Sequence, residues 1–81
     1  MYPEGWLIEP KGRWLLVFHK DSMCKKKCPQ FYMDKWSCTI SGTPNTFQNR
    51  RKVEIEAALE TWNELIQNGW HRIGYTLKEV A

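Results

Sequence analysis

Long apolar runs are the first feature that this sequence of 81 residues lacks. Its longest uninterrupted apolar run is Trp14 to Phe18, whereas a membrane-spanning helix needs about 20 apolar residues. The first residues, Met1 to Gly5, have neither the basic start nor the apolar stretch of a secretory signal. We therefore expect a cytoplasmic protein that has no membrane partner and whose thiols stay reduced.

Recognisable catalytic motifs are also missing. The sequence has two histidines, His19 and His71, its serines lie in no nucleophile motif, and it has no glycine-rich loop for binding phosphate. Most of its glutamates fall on the polar side of a predicted helix, which is typical of a solvated surface. We therefore expect a protein that is not an enzyme and that uses no cofactor.

Aromatic residues, by contrast, are abundant, with five Trp, three Tyr and three Phe. A chain this short buries only about 60% of the surface of its unfolded state. Large rings bury much area per residue, so they allow such a chain to build a core. The length and composition predict one domain over residues 1–81.

Three segments have the composition and alternation of β-strands, at about residues 5–9, 13–19 and 31–40. Pro10-Lys11-Gly12 separates the first two and is typical of a tight turn, so they are predicted to form a hairpin. Residues 70–77 are a candidate for a further edge strand.

A helical stripe follows. Asn49 is placed to cap its start and Gly69 to end it. We predict a helix over about 50–68 and an α+β fold of order β-β-β-α, in which one long helix packs on one face of a three- to four-stranded antiparallel sheet. The apolar residues at helical spacing are Ile55, Ala58, Leu59, Trp62, Leu65 and Ile66.

The second strand presents two different faces. Trp14, Leu16 and Phe18 form a purely apolar set, so we predict that they lie under the helix. A single helix cannot cover the other face, and an apolar patch with a polar rim is typical of a protein interface. The alternative is that another segment of the chain covers it. The interface is predicted at Leu7, Leu15, Val17, Arg13 and His19, with Met33 as a further apolar candidate.

Motifs at the two ends of the chain resemble a known family. These motifs are Gly5-Trp6-Leu7-Ile8, Gly12-Arg13-Trp14 and Phe18-His19, and then Arg50-Arg51, Ala58, Trp62, Leu65 and Gly69-Trp70. Together they resemble short uncharacterised proteins of marine picocyanobacteria that form a domain family of unknown function. The resemblance implies a cyanobacterial or cyanophage source and a cytosolic location, and it implies no activity.

Positive charge is concentrated in the front of the chain. Residues 1–52 carry ten Lys and Arg against four Asp and Glu, which gives +6, whereas residues 53–81 carry two against five, which gives −3. Cations in the first turn of a helix oppose its macrodipole, and beside free backbone N–H groups they suit a phosphate or a carboxylate. Alternatively, the helix starts later and the arginines precede it. The anion- or nucleic-acid-binding candidates are Lys11, Arg13, Arg50, Arg51 and Lys52.

Cysteines give a weaker signal. Cys24 and Cys28 flank three lysines, and with His19 and Cys38 they form a ligand set that is chemically suitable for zinc. The spacing differs from that of common zinc fingers, and Cys38 alternates with core residues of a strand. We therefore expect free thiols and no metal, although lysines beside a thiol also favour the reactive thiolate.

These patterns favour a small non-enzymatic interaction module that binds a protein partner, or a second copy of itself, through the open sheet face. The first alternative is a nucleic-acid-binding module that uses the basic half of the chain. The second alternative is a small zinc or thiol-redox protein.

Overall fold

A computed structural model describes residues 3–21 and 30–74 of the chain. Its strands form one antiparallel sheet in the order β4-β3-β2-β1-β5, and one helix packs against it, so the α+β fold is confirmed. In this part of the chain no helix is long and apolar enough to cross a membrane. The elements are β1 (Gly5–Ile8), β2 (Trp14–Lys20), β3 (Gln30–Cys38), β4 (Pro44–Glu54), α1 (Ile55–Gln67) and β5 (His71–Ile73).

Within the described residues the sheet has five strands rather than three or four, because residues 44–54 form a strand that was not predicted; the prediction of helix from residue 50 was therefore wrong. Residues 50–54 continue the long edge strand β4, and α1 begins only at Ile55. In this strand Val53 lies opposite Phe31 and packs on the core, while Arg50 lies opposite Asp34 and bonds to it. Alternation with period two, together with backbone pairing to β3, therefore outweighs any helical tendency of these residues.

The helix covers one face of the sheet and builds the main core with it. At its centre the ring of Trp62 meets the ring of Phe18 edge to face, with centroids 5.1 Å apart. Such pairs add to the burial of area. The buried members of this core are Leu7, Phe18, Phe31, Met33, Ala58 and Trp62, with Leu16, Val53, Ile55, Leu65 and Trp70 packed around them.

The predicted sheet faces need two corrections. Leu16 and Phe18 lie under the helix as predicted, but Leu7 and Met33, predicted for the open face, lie there too. The reason is register, because Leu7 pairs with Leu16 and Met33 with Phe18, and directly paired residues share a face. Trp14, which was also predicted to lie under the helix, is not among the residues that pack on this core. It is half-buried, and the ammonium group of Lys35 lies 4.3 Å from its ring centroid.

The opposite face, which we call the open face, carries a second buried cluster. Trp6, Leu15 and Val17 are its buried members, and Ile8, Trp36, Cys38 and Ile73 pack against them. Register irregularities on both sides of Trp36 bend the β3–β4 hairpin. The turn of this hairpin comes close to Ile8. A Cβ on Gly42 would make only an ordinary contact with Ile8 Cδ1, at 3.9 Å, so it is the left-handed conformation, with a φ of +87°, that favours glycine in this turn.

The helix ends where the sequence predicts. Gly69 has a φ of +94°, and the N–H of Trp70 returns to the carbonyl of Leu65 at 3.0 Å, which is a glycine-terminated helix end. The chain then adds β5 as a short edge strand beside β1. The edge strand predicted over 70–77 is thus observed for three residues, and its last positions, 75–77, lie outside the described residues.

Candidate functional site

Strand pairing arranges polar side chains in rows on the open face, next to the buried apolar cluster. One row runs from Val17 through Asp34 to Arg50, and the next runs from His19 through Tyr32 to Lys52. Beside this second row lies Asp21, whose N–H donates to the carbonyl of Gln30 at the start of β3. We call His19, Asp21, Tyr32, Asp34, Arg50 and Lys52 the polar patch.

Asp34 is buried at the centre of the polar patch and accepts bonds from two neighbouring strands. Arg50 donates from Nε to Oδ1 at 2.8 Å and from Nη2 to Oδ2 at 2.9 Å, and His19 Nε2 lies 2.8 Å from Oδ2. Desolvation by burial opposes ionisation of Asp34, but the bonds to Arg50 and His19 outweigh it and lower the pKa of this carboxyl group. The hydrogen bond to Asp34 in turn raises the pKa of Arg50. The Asp34–Arg50 pair is therefore charged on both sides.

Asp21 is the second buried carboxylate of the polar patch. Lys52 Nζ lies 3.0 Å from its Oδ2, and the hydroxyl of Tyr32 donates to the same oxygen at 3.4 Å. Each buried aspartate therefore holds one cation of β4 against the sheet, which is how buried charges are usually satisfied.

The ring of Tyr32 lies beneath these cations. Arg50 Cζ is 4.2 Å from its centroid and Lys52 Nζ is 5.7 Å away, both within the range of cation–π attraction. The ring of His19 is tilted against it with centroids 5.3 Å apart. Tyr32 thus supports the cations from below and fixes their position.

The carboxylates and the cations of the polar patch differ in how far they are exposed to solvent. The side chains of Asp34 and Asp21 are only 6% and 7% exposed, whereas those of Arg50 and Lys52 are 48% and 50% exposed. The two aspartates balance the two cations, so the patch is close to neutral when His19 is uncharged. Its accessible surface, however, consists mainly of cationic and aromatic groups, which a ligand would meet first; the exposed acidic residue Glu54 follows Lys52 on the same face, at the end of β4.

Aromatic side chains continue the exposed surface toward the other end of the hairpin. Phe47 lies opposite Trp36 in the next row, and their rings meet edge to face with centroids 5.6 Å apart. Trp36 also packs against Trp6, at 6.3 Å between centroids. Phe47 is 46% exposed, so one large ring stands open beside the cations.

The residues predicted as a protein interface do not form one exposed surface. Leu7 is buried on the helix side, and Leu15 and Val17, although on the open face, are only 0% and 5% exposed. Arg13 is exposed in the β1–β2 turn, just before β2, and its Nε lies 3.6 Å from Glu9 Oε1. His19 alone of this set belongs to the polar patch. Whether any partner protein binds here stays a prediction.

The predicted anion-binding residues are divided between three places. Arg50 and Lys52 meet in the polar patch, while Arg51 pairs with Met33 and lies on the helix side of β4. Lys11 and Arg13 belong to the β1–β2 turn, at the opposite end of β2 from His19. The helix N-terminus predicted to assist them begins at Ile55, so the cations act from a strand rather than from a helical turn.

Four residues of this face were not predicted from the sequence: the buried carboxylates Asp21 and Asp34, and the rings of Tyr32 and Phe47. A usable signal exists for Asp34, since an acidic residue inside an alternating, aromatic-rich strand is almost never buried without a partner. An arginine elsewhere in the chain is the natural candidate for such a partner. Only the β3–β4 register identifies it as Arg50.

The cysteines give no further candidate. Cys24 and Cys28 lie outside the described residues, and half-buried Cys38 has a pKa raised by desolvation. Among the residues that are described, no three or more His, Cys, Asp or Glu side chains gather as a metal site would require.

Comparison with known families matches residues 4–76 to the model described as "Protein of unknown function (DUF1651)". Neither the curated proteins nor the solved structures gave a match.

Proposed function

Because the chain belongs to the DUF1651 family of proteins of unknown function, we propose a function from its surface chemistry: it is a non-enzymatic module that binds nucleic acid through the open face. The observation that carries this proposal is the composition of the accessible part of that face. Half-exposed Arg50 and Lys52 stand over the ring of Tyr32, and the ring of Phe47 lies beside them. Cations interleaved with aromatic rings on an open sheet are the groups that bind phosphates and bases.

The orientation of charge supports the proposal further. Both carboxylates of the polar patch are buried beneath the cations, so an approaching phosphate is nearer to the positive groups than to the negative ones. Residues 1–52 carry a net charge of +6, and a surplus of this sign raises the local concentration of a polyanion.

A protein partner or a homodimer on this face has less support. That hypothesis depends on exposed aliphatic side chains. Leu15 and Val17, however, are already buried in the cluster that they form with Trp6 and Trp36. A partner would therefore meet mainly the polar patch and the ring of Phe47. The cytoplasmic location and the picocyanobacterial source stay predictions from the sequence.

The adjacent cations of β4 provide a matched test. Lys52 lies on the open face and Arg51 on the opposite face, so Lys52→Gln and Arg51→Gln remove the same charge from neighbouring positions of one strand. We expect the parent to bind labelled single-stranded DNA with an affinity that falls steeply with salt. Lys52→Gln should reduce the slope of log K against log salt by about 1, as for one lost phosphate contact, whereas Arg51→Gln should change it little.

The measurement is fluorescence anisotropy over a range of salt concentrations, with circular dichroism to verify that each variant is folded. Equal losses in the two variants would place binding elsewhere on the chain. A folded parent that shows no salt-dependent binding would exclude the function.

A further inference from the structure

We infer that the ligand of the open face is single-stranded, and that an unpaired base stacks on the guanidinium of Arg50. This inference rests on the proposed function and adds to it the strandedness of the nucleic acid and the residue that contacts a base. Arg50 is held on its edge by the carboxylate of Asp34 and on one side by the ring of Tyr32.

Two constraints fix the plane of the Arg50 guanidinium. Two parallel N–H donors, Nε and Nη2, bond to the two oxygens of buried Asp34 at 2.8 and 2.9 Å. The ring of Tyr32 lies beneath the group, with its centroid 4.2 Å from Cζ. A bidentate carboxylate and a supporting ring together leave the side chain little freedom.

Because the ring of Tyr32 lies on one side of the Arg50 guanidinium, a base would approach it from the opposite side. Nearly half of the side chain is exposed, although its Nε and one Nη2 hydrogen are occupied by Asp34. A flat cation that is already ordered offers a stacking surface, and bases stack on guanidinium planes as well as on aromatic rings. Because the order exists before binding, little conformational entropy remains to be lost.

A second ring lies one row away on the same face. Trp36 and Asp34 are two residues apart on β3, a distance of about 7 Å along a strand, and they pair with Phe47 and Arg50 respectively. The half-exposed ring of Phe47 is thus available to a neighbouring base of the same strand. In a duplex both faces of a base are covered by its neighbours in the stack, so only unpaired bases can use these two surfaces.

The test compares three DNA ligands of about 15 nucleotides, a length near the upper site size of sheet-based binders. They are single-stranded oligo(dA), an abasic strand with the same number of phosphates, and a duplex. We expect the parent to bind oligo(dA) about tenfold or more tightly than the abasic strand or the duplex, which is the size of a stacking contribution.

Variants at two positions separate stacking from charge. Arg50→Lys keeps the charge but loses the plane, so the preference for oligo(dA) over the abasic strand should fall severalfold, to the part that stacking on Phe47 supplies. Tyr32→Phe loses the hydroxyl contact with Asp21 but keeps the ring under Arg50, so it should keep most of the preference. Tyr32→Leu removes the ring and should lower the preference about as much as Arg50→Lys does. Circular dichroism verifies folding, and the comparison of two ligands on one variant cancels any uniform loss of active protein.

The outcomes separate this inference from the proposed function. Equal binding of oligo(dA) and the abasic strand by the parent, or a full preference in Arg50→Lys, would overturn the stacking role while leaving the function in place. A preference for the duplex would overturn the single-stranded ligand. A parent that binds none of the three overturns both.

Discussion

Arg50 on the edge strand and Asp34 on the neighbouring strand share two hydrogen bonds, of 2.8 and 2.9 Å, across the β3–β4 pair. His19 reaches the same carboxylate from β2, so one buried side chain connects three successive strands. The carboxylate thereby stabilises the strand that bears the cations of the polar patch.

Asp34→Asn should destabilise the fold. The amide keeps the shape of the side chain but carries no charge, and its NH2 group is a donor where the carboxylate had an accepting oxygen. A hydrogen bond to a charged group contributes about 1.5–3 kcal/mol. Since Arg50 is half-exposed, we expect a loss near the lower end, about 1–2 kcal/mol. Urea denaturation measures it. Glu60→Gln, an equivalent change on the exposed surface of α1, should cost less than about 0.5 kcal/mol. Equal midpoints for the two variants would contradict the role of Asp34.

Acid should weaken the same contact. The pKa of Asp34 is lowered in the folded state, so its stabilising contribution is present above the pKa of about 3.9 that an unfolded aspartate has. It is lost as the pH falls through the lower, folded pKa. The free energy of unfolding of the parent should therefore fall below about pH 4 more steeply than that of Asp34→Asn. Urea titrations between about pH 2 and pH 6 test this difference. Parallel pH profiles would argue against it.

Trp62→Ala should remove most of the stability of the domain. Trp62 is buried against Phe18 at the centre of the helix–sheet core, and truncation of a buried aromatic residue costs about 3–5 kcal/mol. A domain of this size has only about 5–10 kcal/mol in total. Ile66→Ala, at an exposed position of the same helix, is the control and should cost less than about 1 kcal/mol. The measurement is thermal unfolding followed by circular dichroism. Equal melting temperatures for the two variants would show that Trp62 is not part of the main core.

Replacement of Leu15 and Val17 by Lys should unfold the chain. Both side chains are buried on the open face, and two lysines there would remove charged groups from water and place them in the apolar cluster around Trp6 and Trp36. Phe47→Lys, on the same face but half-exposed, should leave the fold intact. Far-ultraviolet circular dichroism distinguishes the two results. A Leu15→Lys/Val17→Lys protein that stayed folded and lost only self-association would instead support the hypothesis of a protein interface at these aliphatic residues.

The sequence predicts the fold class, the β1–β2 hairpin and the end of the helix well, because each of these depends on local signals. Gly69 ends a clear apolar stripe, and Pro10 with Gly12 marks a turn. The start of the helix is different, since residues 50–54 carry no local signal strong enough to exclude a helix, and only their pairing with β3 makes them a strand.

The polar patch was predictable in part. The cations Arg50 and Lys52 were identified from their clustering, but their partners are distant in sequence, Asp34 on β3 and Asp21 just after β2. A one-residue change in the register of β4 would move both cations to the other face. Leu7 shows the same limit, because its face is fixed by pairing with Leu16 rather than by its own segment.

The long outer strand β4 has a consequence for the behaviour of the protein at high concentration. An exposed edge of this length is a template for growth of a continuous sheet from many molecules. In a parallel, in-register stack, Arg50, Arg51 and Lys52 of each copy would lie beside the same residues of the next, and these like charges would repel one another. Pro44, at the start of this edge, has no N–H to donate to an added strand. Repulsion between these cations would oppose filament growth along β4, so substitutions that neutralise them are expected to favour aggregation as well as to remove charge.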